Sequence, residues 1–442
     1  MTRIPEAVVG EAYANSRAWD VLADLVEVGD RMAGQEGEKR GARVVADTMS
    51  YARDVRIEPF GVDGWWRGSS AVAVGEPHDR AFDRDHEVLA LPGTVAGTVE
   101  AELVDVGYGL PERIGPEVDG KVVLARTDVP DDHDRWVHRL ETYAAAVRNG
   151  AVGFLLRNHV PGALPPTGEV GWGRRPSPAP AAGVSAELGA RLARYAAEGA
   201  PTVRLSVDCR TEPSTSVNVE GVVGPATERE VLVTAHVDAH DIADGARDNG
   251  VGCALVVEIG RLLARIEDDL ETRVRLVTFG SEEVGLLGAE HLAATRDVEG
   301  IACVLNVDGA GESRTPSVRT YGYDGVAAAF EAVADDLDVP LERRAVHSPH
   351  TDAWPFAVRG VPAVTAGSRT EGDGRGWGHT HADTLEKIDS RDLRDLAVVY
   401  ASVAAALANG DHGVAHADPA AYRDAVPAHV ERELSFFDRW ER

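Results

Sequence analysis

Seven imidazole and carboxylate side chains in the 442-residue sequence fall where their chemistry could be used together. His236 and Asp238 directly follow the apolar run Val231-Leu232-Val233-Thr234-Ala235, and Asp248-Asn249-Gly250 opens the segment after it. Glu282-Glu283 follows Thr278-Phe279, Asp308 ends Cys303-Val304-Leu305-Asn306-Val307, and His379 lies beyond Ala363-Val364-Thr365-Ala366. Imidazole nitrogen and carboxylate oxygen are donors that catalytic zinc takes while keeping a position open for water. Two histidines and three carboxylates suffice for two ions if one carboxylate bridges them. Two zinc ions about 3.5–4 Å apart can clamp a hydroxide and a carbonyl oxygen. Hydrolysis also needs a base that is not a ligand; of the adjacent Glu282 and Glu283, one can bind metal while the other faces the water. Asp238, two residues past His236, can reach the other imidazole nitrogen and fix its tautomer. Singly, each piece has an ordinary explanation: Asp248-Asn249 as a helix N-cap, Glu282-Glu283 as a first helical turn favoured by the dipole, Asp308-Gly309 as a turn. Their order on successive strands points to a metal site.

The elements that must position them are read from periodicity. From residue 215 onward strand, loop and helix alternate, with strands at 216–223, 230–235, 273–279, 301–307 and 363–366 and helices at 250–265, 286–294, 326–335 and 391–408. Such alternation predicts an α/β fold, a doubly wound, mostly parallel sheet with helices on both faces. In such sheets functional residues gather at the carboxyl ends of strands. Upstream, 12–26 and 38–51 read as helices and 55–60 and 70–74 as strands. From about residue 88 short strands alternate with Gly and Pro, a small β-rich domain, with helices at 143–149 and 188–198, a strand at 202–207 and a loop rich in Pro and Gly over 161–180. The expected division is 1–87, an N-terminal part of the catalytic domain; 88–208, an insert; 209–412, the catalytic domain; and 413–442, a C-terminal tail of one or two helical turns.

Composition narrows the setting. Hydrophobic residues make up 44% and charged residues 27%, a globular balance. No run is apolar for long enough to cross a bilayer, and the first residues carry no secretory pattern. With three separated cysteines, Cys209, Cys253 and Cys303, the expectation is a cytoplasmic protein with reduced thiols. The net charge is −28, and Lys39, Lys121 and Lys387 are the only lysines. An acidic, lysine-poor surface is suited to high salt, where its self-repulsion is screened, and it argues against nucleic acid as a partner. A GC-rich genome would also favour arginine over lysine.

Several stretches resemble the co-catalytic dizinc aminopeptidases, a family that also holds glutamate carboxypeptidases, glutaminyl cyclases and the transferrin receptor. They are Ala235-His236-Val237-Asp238, Ala246-Arg247-Asp248-Asn249-Gly250-Val251-Gly252, Gly280-Ser281-Glu282-Glu283-Val284-Gly285-Leu286-Leu287-Gly288, Asn306-Val307-Asp308, Thr351-Asp352-Ala353-Trp354-Pro355-Phe356 and His379-Thr380-His381-Ala382-Asp383-Thr384. Residues 88–208 resemble the protease-associated domain often inserted in this family, through Val104-Asp105-Val106-Gly107-Tyr108-Gly109, Gly120-Lys121-Val122-Val123-Leu124 and Gly150-Ala151-Val152-Gly153-Phe154. The resemblance implies two Zn2+ per chain, with Co2+ or Mn2+ as acceptable substitutes. It implies that His236 and Asp308 bind one ion, Glu283 and His379 the other, that Asp248 bridges, and that Glu282 is the general base. It also implies a cis peptide between Asp248 and Asn249. Two departures stand out: Gly378 replaces a Tyr that polarises the oxyanion in several members, and Ala353 replaces a His. Neither removes a ligand. His240 and His381 read first as polar loop residues and second as substrate contacts.

The expected activity is that of a metallo-exopeptidase, an aminopeptidase first, acting on peptides or small amides. The alternatives are a carboxypeptidase, a dipeptidase or an amidase of N-acyl compounds using the same site, and an inactive receptor-like protein on the same scaffold. A carboxypeptidase would use an arginine cluster for the terminal carboxylate, with Arg369 and Arg375 as candidates; an aminopeptidase would use Glu282 or Asp352 for the terminal ammonium. The sequence leaves the oligomeric state open.

Overall fold

In a computed structural model the described residues are all except 1–3, 16, 172–176, 371–375, 411 and 441–442. The chain divides into two compact units, the first made of 1–62, 214–371 and 383–430, the second of 63–213, 372–382 and 431–442. In chain order the strands are β1 (Arg53–Val74), β2 (Arg80–Phe82), β3 (Val88–Ala90), β4 (Gly97–Asp105), β5 (Val122–Arg126), β6 (Gly153–Arg157), β7 (Ala181–Val184), β8 (Thr202–Val223), β9 (Glu230–His236), β10 (Arg273–Phe279), β11 (Ile301–Val307), β12 (Pro316–Arg319), β13 (Glu342–Arg344) and β14 (Ala363–Ser368).

In the first unit the strand order is β13-β12-β14-β11-β9-β10, closed by the C-terminal half of β8. The pairs β9–β10, β9–β11 and β11–β14 are parallel; β10–β8 and β12–β14 are antiparallel. β9, β11 and β14 are buried along nearly their whole length. That explains why they read as continuous apolar runs instead of alternating ones. The helices Val251–Ala264 and Ser390–Ala408 bury all but a few of their residues.

The second unit has its own parallel strands, β4-β5-β6-β7, with β3 antiparallel at one edge and the N-terminal half of β8 antiparallel at the other. Its core gathers Val123, Tyr143, Phe154, Leu156 and Ala181. The helices Arg139–Arg148 and Ala186–Gly199 belong to this unit.

Two differences from the sequence reading have a clear cause. β1 is one strand of 22 residues, not two, because Gly61, Gly64 and Gly68 interrupt its alternation without interrupting its backbone. β8 is likewise one strand across Pro213, a residue that argues against a central strand when met in a sequence. The end of the chain is more ordered than a tail: Pro419–Ala425 and Ala428–Phe436 are helices, and Tyr422, Val430 and Leu434 are buried.

Candidate metal centre

β9 delivers His236 at its last position, opposite Phe279 of β10, and Thr234 lies opposite Asn306 of β11. The residues that follow these three strands are therefore neighbours. The loop after β9 is held from within by Arg31, which is 1% exposed. Its guanidinium donates to the carbonyl oxygens of Leu25, Val237, Asp244 and Gly245 at 2.8–3.0 Å. A buried charge with so many charge-assisted hydrogen bonds fixes the backbone it touches.

Asp248 is freed for chemistry by its neighbours. The peptide between Asp248 and Asn249 is cis. The Asn249 carboxamide donates to Val307 O (2.9 Å) and accepts from Gly252 N (3.0 Å). Capping, the ordinary explanation for the Asp248-Asn249 pair, is thus met by Asn249 alone. A Cβ on Gly252 would lie 2.3 Å from Asn249 Oδ1, so only glycine fits that approach. Asp383 accepts from the N–H groups of Arg247 (2.8 Å) and Asp248 (3.0 Å). The Asp248 carboxylate is left facing His236, Oδ1 to Nε2 at 3.2 Å.

The Glu282-Glu283 loop is fixed by two carboxylates behind it. Glu38, fully buried in the helix Glu36–Thr48, accepts from Ser281 N (2.8 Å), Ser281 Oγ (3.2 Å), Ser216 Oγ (2.8 Å) and Gly34 N (3.0 Å). Those bonds hold Ser281 at a left-handed φ of 56°, a strained setting for a residue with a side chain. Asp238 accepts from Glu282 N (3.0 Å) and Glu283 N (3.1 Å). Its carboxylate is 3.6 Å from His236 Nδ1, beyond hydrogen-bond range, whereas its main-chain oxygen is at 3.1 Å. A carbonyl only accepts, so Nδ1 carries a proton, which makes Nε2, facing Asp248, the nitrogen that a metal would take.

Ligand atoms of His236, Asp248 and Glu283 lie within 4.8 Å of one another, and so do those of His236, Glu282 and Asp308. His240 Nε2 is 3.0 Å from Glu283 Oε2 and the imidazole is buried, not a surface loop residue. Asp352 is fully buried, and neither of its oxygens has a hydrogen-bond partner among the described residues. Burial, against the pull of His236, and the charges of Asp238, Asp308 and Glu283 hold its carboxyl well above the usual range. Glu282 is raised likewise by burial, opposed by His236 and reinforced by Glu283, Asp352 and Asp308. His236 is pushed down by burial, but Glu282, Asp238 and Asp248 outweigh that and leave it well above its ordinary value. So many buried carboxylates around one imidazole, one of them with unpartnered oxygens, fit a divalent cation, whose charge removes the repulsion.

His379 belongs to the second unit. Its N–H partner is Thr167: His379 Nδ1 is 3.3 Å from Thr167 O, and Thr167 N donates to His379 O at 2.8 Å. This again protonates Nδ1 and leaves the Nε2 lone pair, as metal-bound imidazoles require. His381 is half-buried in the same unit and is lowered by burial and by His86. Arg369 has Glu342 at 3.9 Å, and Arg375 lies outside the described residues. Sequence reading missed Glu38 and Arg31 as positioning residues. Their only signal was residue type, a charged side chain within an apolar or helical pattern.

A mostly parallel α/β sheet with imidazole and carboxylate donors at the ends of three adjacent strands defines a metal-dependent hydrolase. Residues 218–404 match peptidase family M28, and residues 98–192 match the PA domain. The chain is a metallopeptidase, similar over those two stretches to peptidase family M28 and to the PA domain. It is 26% identical over 424 residues to aminopeptidase YwaD of Bacillus subtilis, covering 88% of this chain and 85% of that one. It is also 26% identical to human carboxypeptidase Q, covering 91% of this chain and 87% of that one. Among solved structures, the peptidase M28 precursor of Shewanella amazonensis superposes with a TM-score of 0.74 at 26% identity, covering 91% of this chain and 96% of that one.

Proposed function

We propose that the chain is a two-zinc aminopeptidase that releases single residues from free peptide N-termini. The observation that carries this reading is the surplus of buried carboxylate around His236. The free ammonium is the part of a peptide that such a surface attracts. Asp352, with both oxygens unpartnered among the described residues, is the proposed acceptor.

In this reading His236 and Asp308 would hold one zinc, Glu283 and His379 the other, and Asp248 would serve both. The protonated Nδ1 of His379 supports its place in the set. So does chain reach: Asp383, bonded to the Asp248 backbone, is four residues away, and each residue spans at most about 3.6 Å. When bound, the metal supplies Lewis acidity and a water acidified toward neutral pH. Glu282, next to Glu283 and with its backbone fixed by Asp238, is the group that takes the water's proton and passes it to the departing amine. Asp238 keeps Glu282 aimed through the backbone N–H groups it accepts from. Gly378 offers no phenol for the oxyanion, so its stabilisation falls to the metal or another donor. The acidic composition supports a cytoplasm of high ionic strength as the working environment.

A carboxypeptidase is the second reading, favoured by the similarity to carboxypeptidase Q at the same identity and coverage. The test is a panel of peptides blocked at either terminus, assayed in about molar salt, where the Debye length falls to about 3 Å, with metal content measured on the same sample. Cleavage confined to free N-termini, two metal ions per chain and a loss of roughly 10²–10⁴-fold in kcat for Glu282→Gln are expected. Cleavage of N-blocked peptides moves the assignment to a carboxypeptidase. Failure to bind metal sinks both.

A further inference from the structure

A cavity of about 50 Å3 lies within the first unit, between the start of the helix Arg17–Val28 and the helices Val251–Ala264 and Ser390–Ala408. Its wall includes Asn15, Ala18, Trp19, Glu258, Ser390 and Arg394, none of them a member of the metal centre. What it would hold follows from which of these groups are already committed.

Arg394 is the one charged group on this wall that is not. Its Nε is buried and has no hydrogen-bond partner among the described residues. Nη1 reaches Tyr13 O at 3.4 Å, a long hydrogen bond, and no carboxylate among the described residues is within ion-pair distance of the guanidinium. The acidic groups around it are taken. Both Glu258 oxygens accept from Arg261, at 2.6 and 2.9 Å. Asp395 accepts from Tyr13 Oη at 2.5 Å and has Arg314 at 3.7 Å. Asp389, which caps the helix Ser390–Ala408, is paired with Arg391 at 3.0 and 3.1 Å. Asn15 is spent as well, accepting from Arg17 N at 2.9 Å and donating to Glu11 O.

What the wall still offers is positive. Beside the Arg394 guanidinium stands the Ser390 hydroxyl, which can turn its hydrogen toward an acceptor. The amino end of the helix Arg17–Val28, where partial positive charge gathers, borders the same space. A buried donor on a charged group is costly to leave unmet. A cavity needs roughly 10–15 Å3 to hold one water, so this one takes a few waters or one small ion and excludes a peptide, a sugar or a nucleotide. Water would accept from Nε and leave the charge unmatched, whereas an anion answers both. One uncommitted cation matches one negative charge.

We propose that this cavity is a binding site for a small monovalent anion, chloride in a salt-rich medium, which accepts from Arg394 Nε and Ser390 Oγ. The ion ties the corner before the helix Arg17–Val28 to the helix Ser390–Ala408. It gives a chain of net charge −28 one defined place for an anion, so that salt acts on it by occupancy as well as by screening. The site stands apart from the peptidase reading and does not depend on it.

Two measurements on the full-length protein test it. In crystals grown in potassium bromide, anomalous scattering should place one bromide in the cavity, within hydrogen-bond reach of Arg394 Nε. Water there without an anomalous signal overturns the proposal. In solution the protein should broaden the chloride NMR line, and bromide should narrow it again by competition while gluconate, too large for the cavity, should not. Arg394→Gln should lose most of the excess width. Arg391→Gln, on the same helix but paired with Asp389 at the surface, should keep it. Excess width that survives Arg394→Gln, or that falls equally in both variants, overturns the site in favour of diffuse surface binding. The bromide position is read on the unaltered protein, so it decides the matter even if Arg394→Gln fails to fold.

Discussion

One strand of the first unit, β9, carries a charged cluster at each end, and the two are built on opposite plans. At its start, Glu230 and Glu220 of β8 are buried against Arg275 of β10 and Arg296. Arg275 is 2.9 Å from each carboxylate, and Arg296 is 2.8 and 2.9 Å away. Arg56 and Arg273 add further contacts at 3.1 and 3.2 Å. Although burial pushes Glu230 up, Arg275 and Arg296 bring it below the usual carboxylate value. At the other end, roughly 20 Å away at about 3.3 Å per residue, Asp238, Glu282, Glu283, Asp308 and Asp352 surround His236. There burial and mutual repulsion hold Glu282 and Asp352 far above the usual value. The chain closes its own electrostatics at the amino ends of these strands and leaves them open at the carboxyl ends. An open cluster of buried carboxylates is stable only if something positive is added or protons stay on. The contrast therefore marks which end is functional without reference to any relative.

The largest expected effect breaks the closed end. Arg275→Met leaves Glu220 and Glu230 short of a partner and should cost about 3–5 kcal/mol in denaturant unfolding. Metal content should not change; its loss would show that the two ends are not independent. Next, zinc returned to chelated protein should raise the unfolding free energy by about 2.7 kcal/mol at one hundred times the dissociation constant and about 4.1 kcal/mol at one thousand times. The increment should persist in Arg275→Met and vanish in Asp248→Asn. An increment that survives Asp248→Asn would place the ion elsewhere.

The smallest effect separates the ends by pH. Glu38, behind the open cluster, is pushed up to about 8 by burial and by the charge of Asp238. A folded-state value above the unfolded one means that its contribution is full below about pH 4.5 and is lost as pH rises through about 8, at no more than roughly 1.4 kcal/mol per pH unit. Glu230, lowered in the fold, contributes above its unfolded value and loses that contribution as pH falls below it. Unfolding of chelated protein at a series of pH values should therefore show a downward trend between pH 5 and 8 that is shallower in Glu38→Gln. An identical slope in the two proteins would remove Glu38 from the account.

The sequence made the open end legible and the closed end nearly invisible. β9, β10 and β11 stood out because burial on both faces demands unbroken apolar runs, and the donors immediately beyond them were placed by counting. The supports were hidden by distance: Glu38 and Ser281 are 243 residues apart, Arg31 and Gly245 are 214 apart, and nothing local marks either pair. Roles within a motif were also harder to read than its location. Asp238 looked like the partner of the His236 ring, yet its carboxylate serves the backbone of Glu282 and Glu283 while its carbonyl faces the ring. Asp248-Asn249 read as a capping pair, and of the two it is the Asn249 amide that caps. β1 and β8 each read as two strands because glycine and proline signals report local preference, and pairing along the sheet overrides it.

The pairing of Thr167 with His379 bears on the ancestry of such chains. The carbonyl that sets the imidazole's tautomer lies within the stretch matched by the PA domain. If His379 holds metal as proposed, a descendant that shed this stretch would lose the acceptor along with it and would need a new oxygen for that ring.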